Sequence, residues 1–100
     1  MPAFEVWFRK LYDGRAPEVA FLDVDYEWAG DVQAISVKDV ALRVALMKPE
    51  ESQLEGHRQI RTGDLVKEPE PAGGRYFVFT PAGVWARVQV VEGGLAQTAG

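Results

Sequence analysis

Cysteine is absent from this 100-residue chain, which excludes disulfides and thiolate metal sites. Asparagine is absent as well, and histidine occurs once, at His57. No run approaches the roughly 18 consecutive apolar residues of a membrane-spanning helix. No apolar stretch with a basic leader opens the chain, so a cytoplasmic protein is expected, with no membrane partner. Joint loss of cysteine and asparagine is a trend of heat-adapted proteins. GC-rich coding produces the same bias, and a thermophilic source is noted on the first ground only.

A surplus of positive charge is also missing. Eleven Lys and Arg face 15 Asp and Glu, for a net charge of −4. Nucleic-acid binders draw most of their affinity from neutralised phosphates, so this balance points away from them. It favours a protein partner with a basic surface. What is present suffices for one core. The chain is 47% apolar, with three Trp, three Tyr and five Phe. The length fits one domain, expected over residues 1–91, with residues 92–100 as a flexible Gly-containing tail.

Alternation of apolar and polar residues marks strands. Phe4, Val6 and Phe8 alternate with Glu5, Trp7 and Arg9 in a strand expected over 4–12. Asp13-Gly14-Arg15 is a turn. A second strand is expected over Glu18 to Trp28, with Ala20, Leu22 and Val24 beside Phe4, Val6 and Phe8 on the core face. In that register Asp23, Asp25 and Glu27 line the opposite, solvent side. Ala29-Gly30-Asp31 is expected to break the strand. Ser36 has the character of an N-cap, with Asp39 closing a capping box. Val37, Val40, Ala41, Val44 and Met47 then recur at helical spacing, giving one helix over about 37–48 that Pro49 ends.

Residues 49–57 are expected to be loop, and Gln59 to Lys67 a short strand around a Gly63-Asp64 bend. Residues 68–74 are expected to be an irregular, exposed loop. Arg75 to Thr80 and Val84 to Val91 flank a Pro81-Ala82-Gly83 turn as paired strands. The sum is an α+β domain: an antiparallel sheet of four or five strands, with a tendency to curl toward a barrel, and one helix packed on one face.

Chemistry-bearing patterns are few. Asp23, Asp25 and Glu27 on one strand face would aim their oxygens to one side, the arrangement that binds a divalent cation. An apolar strand carrying Asp-x-Asp is similar to the metal strand of phosphotransferases and palm-type polymerases. The haloacid-dehalogenase motif continues with Gly-Thr where this chain has Tyr26-Glu27. The blander expectation is a solvated acidic stripe. His57 has no neighbouring nucleophile and no second histidine to share a metal. No Gly-rich phosphate loop is present. No catalytic residue and no cofactor is expected, and the chain is read as a non-enzyme.

Binding residues are expected elsewhere. Trp7 and Trp85 fall on the more polar sides of their strands, next to Arg9 and Arg87. If those sides join in one sheet, Trp7, Arg9, Trp85 and Arg87 form an aromatic and arginine patch opposite the helix, suited to a protein interface. A homodimer through this patch or through an edge strand is a subsidiary expectation. The alternative is a small barrel-like nucleic-acid module using Arg58, Arg61 and Arg75. A second alternative is the metal-dependent enzyme built on Asp23, Asp25 and Glu27.

Arg58-Gln59-Ile60-Arg61-Thr62-Gly63-Asp64-Leu65-Val66, then Tyr76-Phe77-Val78 and Gly83-Val84-Trp85, resembles the YodL-like group of small proteins of phages, plasmids and conjugative elements. Arg58, Gly63 and Asp64 match that group's pattern, and Leu65 and Val66 replace residues of like kind. Gln59 and Arg61 stand where the group has serines, Thr62 where it has Val, and Val84 where it has Phe. The likeness covers about 40 residues by motif. It implies an accessory protein of a mobile element, with no catalytic residues to carry over. Physically, Gly63-Asp64 needs only turn chemistry, with Arg58 and Arg61 expected to meet Glu50, Glu51 or Glu55.

Overall fold

In a computed structural model, residues 1–92 are described. The expected tail lies, from residue 93 onward, outside the described residues. The architecture is α+β. Five strands form one antiparallel sheet in the order β3-β1-β4-β5-β6, and β2 pairs with β7 in a separate two-stranded ladder. The strands are β1 (Ala3–Arg9), β2 (Val19–Phe21), β3 (Tyr26–Gln33), β4 (Leu65–Lys67), β5 (Tyr76–Phe79), β6 (Trp85–Arg87) and β7 (Gln89–Val91). A single helical turn, α1 (Leu22–Asp25), joins β2 to β3, and α2 (Val37–Leu46) is the main helix. The five-stranded sheet ends in two edges, β3 and β6, and does not close into a barrel.

β1 begins as its alternation dictates. Phe4, Val6 and Phe8 are buried while Glu5, Trp7 and Arg9 are only half-buried. Its partner differs from the expected one. β1 pairs not with residues 18–28 but with β3, Phe4 opposite Val32 and Phe8 opposite Glu27. The expected second strand breaks at Leu22, where one turn of helix forms and Tyr26 N–H donates to the Leu22 carbonyl. Val24 is therefore 66% exposed rather than on the core face, and Leu22 and Tyr26 are buried together. Residues four apart share a helix side just as residues two or four apart share a strand side. Only Val24 distinguishes the two periodicities.

Ala29-Gly30-Asp31 does not end the strand. The register slips between Val6 and Trp7, leaving Ala29 as the extra residue of a β-bulge, which bends β3. Gly30 is needed there. Its φ is +138°, and a Cβ would lie 3.2 Å from the Gln53 carbonyl oxygen.

α2 packs its buried Val40 and Val44 on the sheet face carrying Phe4, Val6, Phe8, Val32 and Val66. Ser36 holds the extended N-cap conformation, but its side chain makes no capping bond. Asp39 caps one residue further out, accepting from Ile35 N–H at 3.1 Å, and also accepts from Arg43 Nε at 2.8 Å. The second sheet face is roofed by the β2–β7 ladder and α1, which bury Ala20, Leu22, Tyr26, Leu65 and Val78. The expected strand 84–91 divides at Val88: β6 stays with β5, and β7 crosses to pair parallel with β2. In the segment 68–74, Glu70–Ala72 forms a short 3-10 turn. There too Glu68 is buried, and its carboxylate is held by Arg75.

Candidate functional site

Asp64 is the most enclosed charged residue of the described chain, with no exposed surface. Each of its oxygens accepts two bonds. Oδ1 takes Arg9 N–H at 2.9 Å and Arg58 Nη2 at 2.8 Å. Oδ2 takes Arg61 N–H at 2.9 Å and Arg58 Nη1 at 2.7 Å. A buried carboxylate is tolerable only when paired and fully bonded in this way. Gly63 (φ +98°) brings the chain in, and a Cβ there would meet Arg9 Cδ at 2.9 Å. Tyr26 Oη donates to the Gly63 carbonyl at 2.6 Å. Burial, partly countered by the Arg9 charge and reinforced by that of Asp64, pushes the Tyr26 hydroxyl up to about 12. The Arg58 guanidinium lies 4.2 Å over the Phe8 ring. The Arg58, Gly63 and Asp64 of the sequence motif thus meet in one knot tying β1, β3 and β4 together. Arg58 pairs with Asp64 rather than with the glutamates of residues 50–55.

Beside this knot lies a cleft of about 270 Å³ whose lining includes Phe8, Lys10, Glu27, Trp28, Glu55 and Arg61. Its lining carries both signs, with Arg9, Lys10, Arg58 and Arg61 against Glu27 and Glu55, and the Arg58 charge is paired with Asp64. His57 shares a 2.7 Å hydrogen bond with Ser52 through Nδ1.

The residues expected to act together separate in space. Trp7 stands opposite Leu65, and Leu65 opposite Val78, so Trp7 shares the face roofed by β2 and β7. Trp85 stands opposite Phe79 on the α2 face, where its ring meets that of Phe79 edge-on at 4.9 Å. The two indoles therefore lie on opposite sides of the sheet. Arg9 shares the Trp7 side but spends its guanidinium on Asp13 Oδ1 and the Arg15 carbonyl, both at 2.9 Å. Arg87 is exposed on the other side. The single patch of Trp7, Arg9, Trp85 and Arg87 does not form, because strand parity counted within each strand says nothing about pairing between strands.

Of the alternative arginines, Arg58 is bound to Asp64 and Arg75 to Glu68, while Arg61 stacks over the Tyr12 ring at 4.8 Å. Asp23 and Asp25 sit on the helical turn and Glu27 on the following strand. Among the described residues, no cluster of acids and histidine able to hold a metal ion forms.

The stretch that runs through β2, α1 and β3 is both acidic and rich in exposed apolar side chains. Residues 16–37 contain Glu18, Asp23, Asp25, Glu27 and Asp31 and no Lys, Arg or His. None of these five acids enters an ion pair among the described residues. Within the same segment Phe21, Val24 and Trp28 are 45%, 66% and 53% exposed. Trp28 stands opposite Trp7 across the β1–β3 ladder. The signal was available in the sequence as a cation-free stretch of 22 residues, but the expected burial of Val24 hid its apolar half. No helix among the described residues is long and apolar enough to cross a membrane. Compared with protein-family models, with curated proteins and with solved structures, the chain gives no match.

Proposed function

We propose that this protein is a non-enzymatic binding module that docks a partner protein with a basic surface onto β2, α1 and β3. The observation that carries the reading is the exposure of Phe21, Val24 and Trp28 in a segment whose five acids enter no ion pair among the described residues. Exposed aromatics with an apolar neighbour supply the anchor of an interface. Unbalanced charge around them steers and selects the partner. Two copies of the same surface repel each other, so the partner is a different molecule rather than a second copy. The likeness of Arg58, Gly63 and Asp64 to the YodL-like group supports an accessory role in a mobile element, in a cytoplasmic setting.

The test is affinity capture from the source cells with four baits: the unaltered chain, Trp28→Ala, Asp23→Lys/Asp25→Lys, and Trp85→Ala. The expected partner is basic. It is retained by the unaltered chain and by Trp85→Ala, and released by the other two and by raised salt. Equal capture by all four baits, with all four folded by circular dichroism, would contradict the reading.

A further inference from the structure

β2 owes its strand pairing to β7 alone. Among the described residues it joins no strand of the five-stranded sheet, and its one ladder is parallel. In that ladder Val19 stands opposite Gln89, Ala20 opposite Val90 and Phe21 opposite Val91. β7 has no other ladder either. Parallel pairs are slightly less stable per residue than antiparallel ones. Two strands apart from a larger sheet are marginal unless they pack well on something.

The packing beneath this ladder is thin. No residue of β7 is fully buried, and in β2 only Ala20 is, which contributes a single methyl group. Val88 and Val90 are half-buried against Ala20, Leu22, Tyr26, Leu65 and Val78. The remainder of the roof is fastened without β7. Lys10 N–H donates to the Asp25 carbonyl at 2.8 Å, tying α1 to the end of β1. Tyr26 Oη donates to the Gly63 carbonyl at 2.6 Å, tying the start of β3 to the turn before β4. Val88 N–H donates to the Tyr76 carbonyl at 3.2 Å, just past the β5–β6 ladder, and residues 89–91 then belong to β2.

We infer that β7 is a strap, hinged at Val88, that opens and closes on β2 while the five-stranded sheet stays folded. Local openings follow units with few buried apolar contacts, and this ladder is such a unit. When β7 lifts, residues 19–21 lose their ladder bonds and Ala20 loses its partner Val90. The sheet, α2 and the Asp64 knot keep their own bonds. Phe21 shares the outward side of the ladder with Val91, its register partner, so closure fixes where Phe21 is presented. A molecule that docks on Phe21 therefore favours the closed strap, and a closed strap favours docking to the same degree. That consequence rests on the docking reading above, whereas the strap itself does not.

The chain has no cysteine, so Val19→Cys/Gln89→Cys gives one defined disulfide across a register pair, on the side of the ladder away from Ala20. Adjacent strands lie about 4.8 Å apart, within the reach of a disulfide. Amide exchange is followed in the unaltered full chain and in the variant, reduced and oxidised. The Arg9 and Arg61 amides, which donate to the buried Asp64 carboxylate, report opening of the sheet. In the unaltered chain the ladder amides of β2 and β7 are expected to be protected, but about tenfold or more less than Arg9 and Arg61, the factor equivalent to one net hydrogen bond. Oxidation raises their protection relative to Arg9 and Arg61 by about tenfold or more. The inference is overturned if the ladder amides match Arg9 and Arg61, if they show no protection at all, or if oxidation leaves the ratio unchanged. Oxidised and reduced baits are then compared for the basic protein that the unaltered chain retains from source-cell extract. Stronger retention by the oxidised bait supports the coupling and equal retention refutes it. Retention by neither bait nor the unaltered chain refutes the docking reading, while exchange alone decides the strap.

Discussion

Arg58 and Asp64 meet fork to fork, with Nη1 2.7 Å from Oδ2 and Nη2 2.8 Å from Oδ1. The carboxylate has no exposed surface, and the arginine side chain retains 26%. Because the remaining lone pairs accept Arg9 and Arg61 N–H, four donors converge on one acidic group. Removing the carboxylate leaves a poorly solvated cation and two backbone donors without acceptors. Asp64→Ala is expected to cost about 3–5 kcal/mol. Asp64→Asn fares little better, since either orientation of the amide sets an NH₂ group against two donors. Urea unfolding of the two variants checks this, and a loss below about 1 kcal/mol in both, the size of one net hydrogen bond, contradicts it.

Gly63 feeds that pair, and its substitution isolates the backbone contribution. At φ +98° with a prospective Cβ 2.9 Å from Arg9 Cδ, Gly63→Ala combines strain with a clash. The expected loss is about 1–3 kcal/mol, accompanied by movement of the Arg9 side chain away from Asp13. Gly83 has a similar sign of φ but nothing within 4 Å of its Cβ position, so Gly83→Ala costs less. Thermal unfolding of the pair decides. Equal losses would show that the crowding at Gly63 has no energetic consequence.

The architecture was legible where one period explains the burial. Phe4, Val6 and Phe8 inside, and Val40 and Val44 at helical spacing against them, follow from the pattern alone. It was illegible where two periods coincide. Leu22 and Tyr26 are compatible with a strand and with a helical turn, and the chain takes the turn. That exchange removed Val24 from the core, dissolved the acidic strand face, and passed the partnership with β1 to residues 26–33. The uniform alternation over 84–91 likewise concealed the crossing of β7 to β2, a choice made by non-local pairing that no local pattern encodes. The site was legible in fragments. Arg58, Gly63 and Asp64 stood out as a motif, yet their mutual contact needed the fold. The edge position of β3 was invisible, because which strand lies outermost is a property of topology.

Tyr26 ties stability to alkaline pH. Its hydroxyl, buried and donating to the Gly63 carbonyl, is raised to about 12 from an ordinary value of 10.0. A folded-state value above the unfolded one means the native chain holds the proton more tightly. Its contribution is therefore complete below pH 10 and is lost as pH rises through 12, up to about 2–3 kcal/mol. Tyr26→Phe removes this dependence along with the hydrogen bond. Urea midpoints across that pH window, with tyrosinate absorbance at 295 nm read in parallel, check the point. If the unaltered chain and Tyr26→Phe lose stability in parallel, the assignment to Tyr26 is wrong.

Trp28 reports the field of the acidic surface directly. It is 53% exposed, while Trp7 and Trp85 are half-buried, and Trp7→Phe/Trp85→Phe leaves it as the sole indole. Glu18, Asp23, Asp25, Glu27 and Asp31 belong to its cation-free segment and outnumber Lys10 and Arg61, which line the cleft it shares, so the proposed surface predicts that cations concentrate near its ring and anions are repelled. At about 0.1 M ionic strength, where the Debye length is about 10 Å, caesium should quench its emission more efficiently than iodide, each scaled to free tryptophan. In about 1 M sodium chloride the Debye length falls to about 3 Å, and the two efficiencies converge. Asp23→Lys/Asp25→Lys reverses the order at low salt. Iodide quenching on a par with caesium at low salt, with the variant no different, would mean that the acids lie too far from Trp28 to select a partner's charge, leaving the aromatic contact without its electrostatic frame.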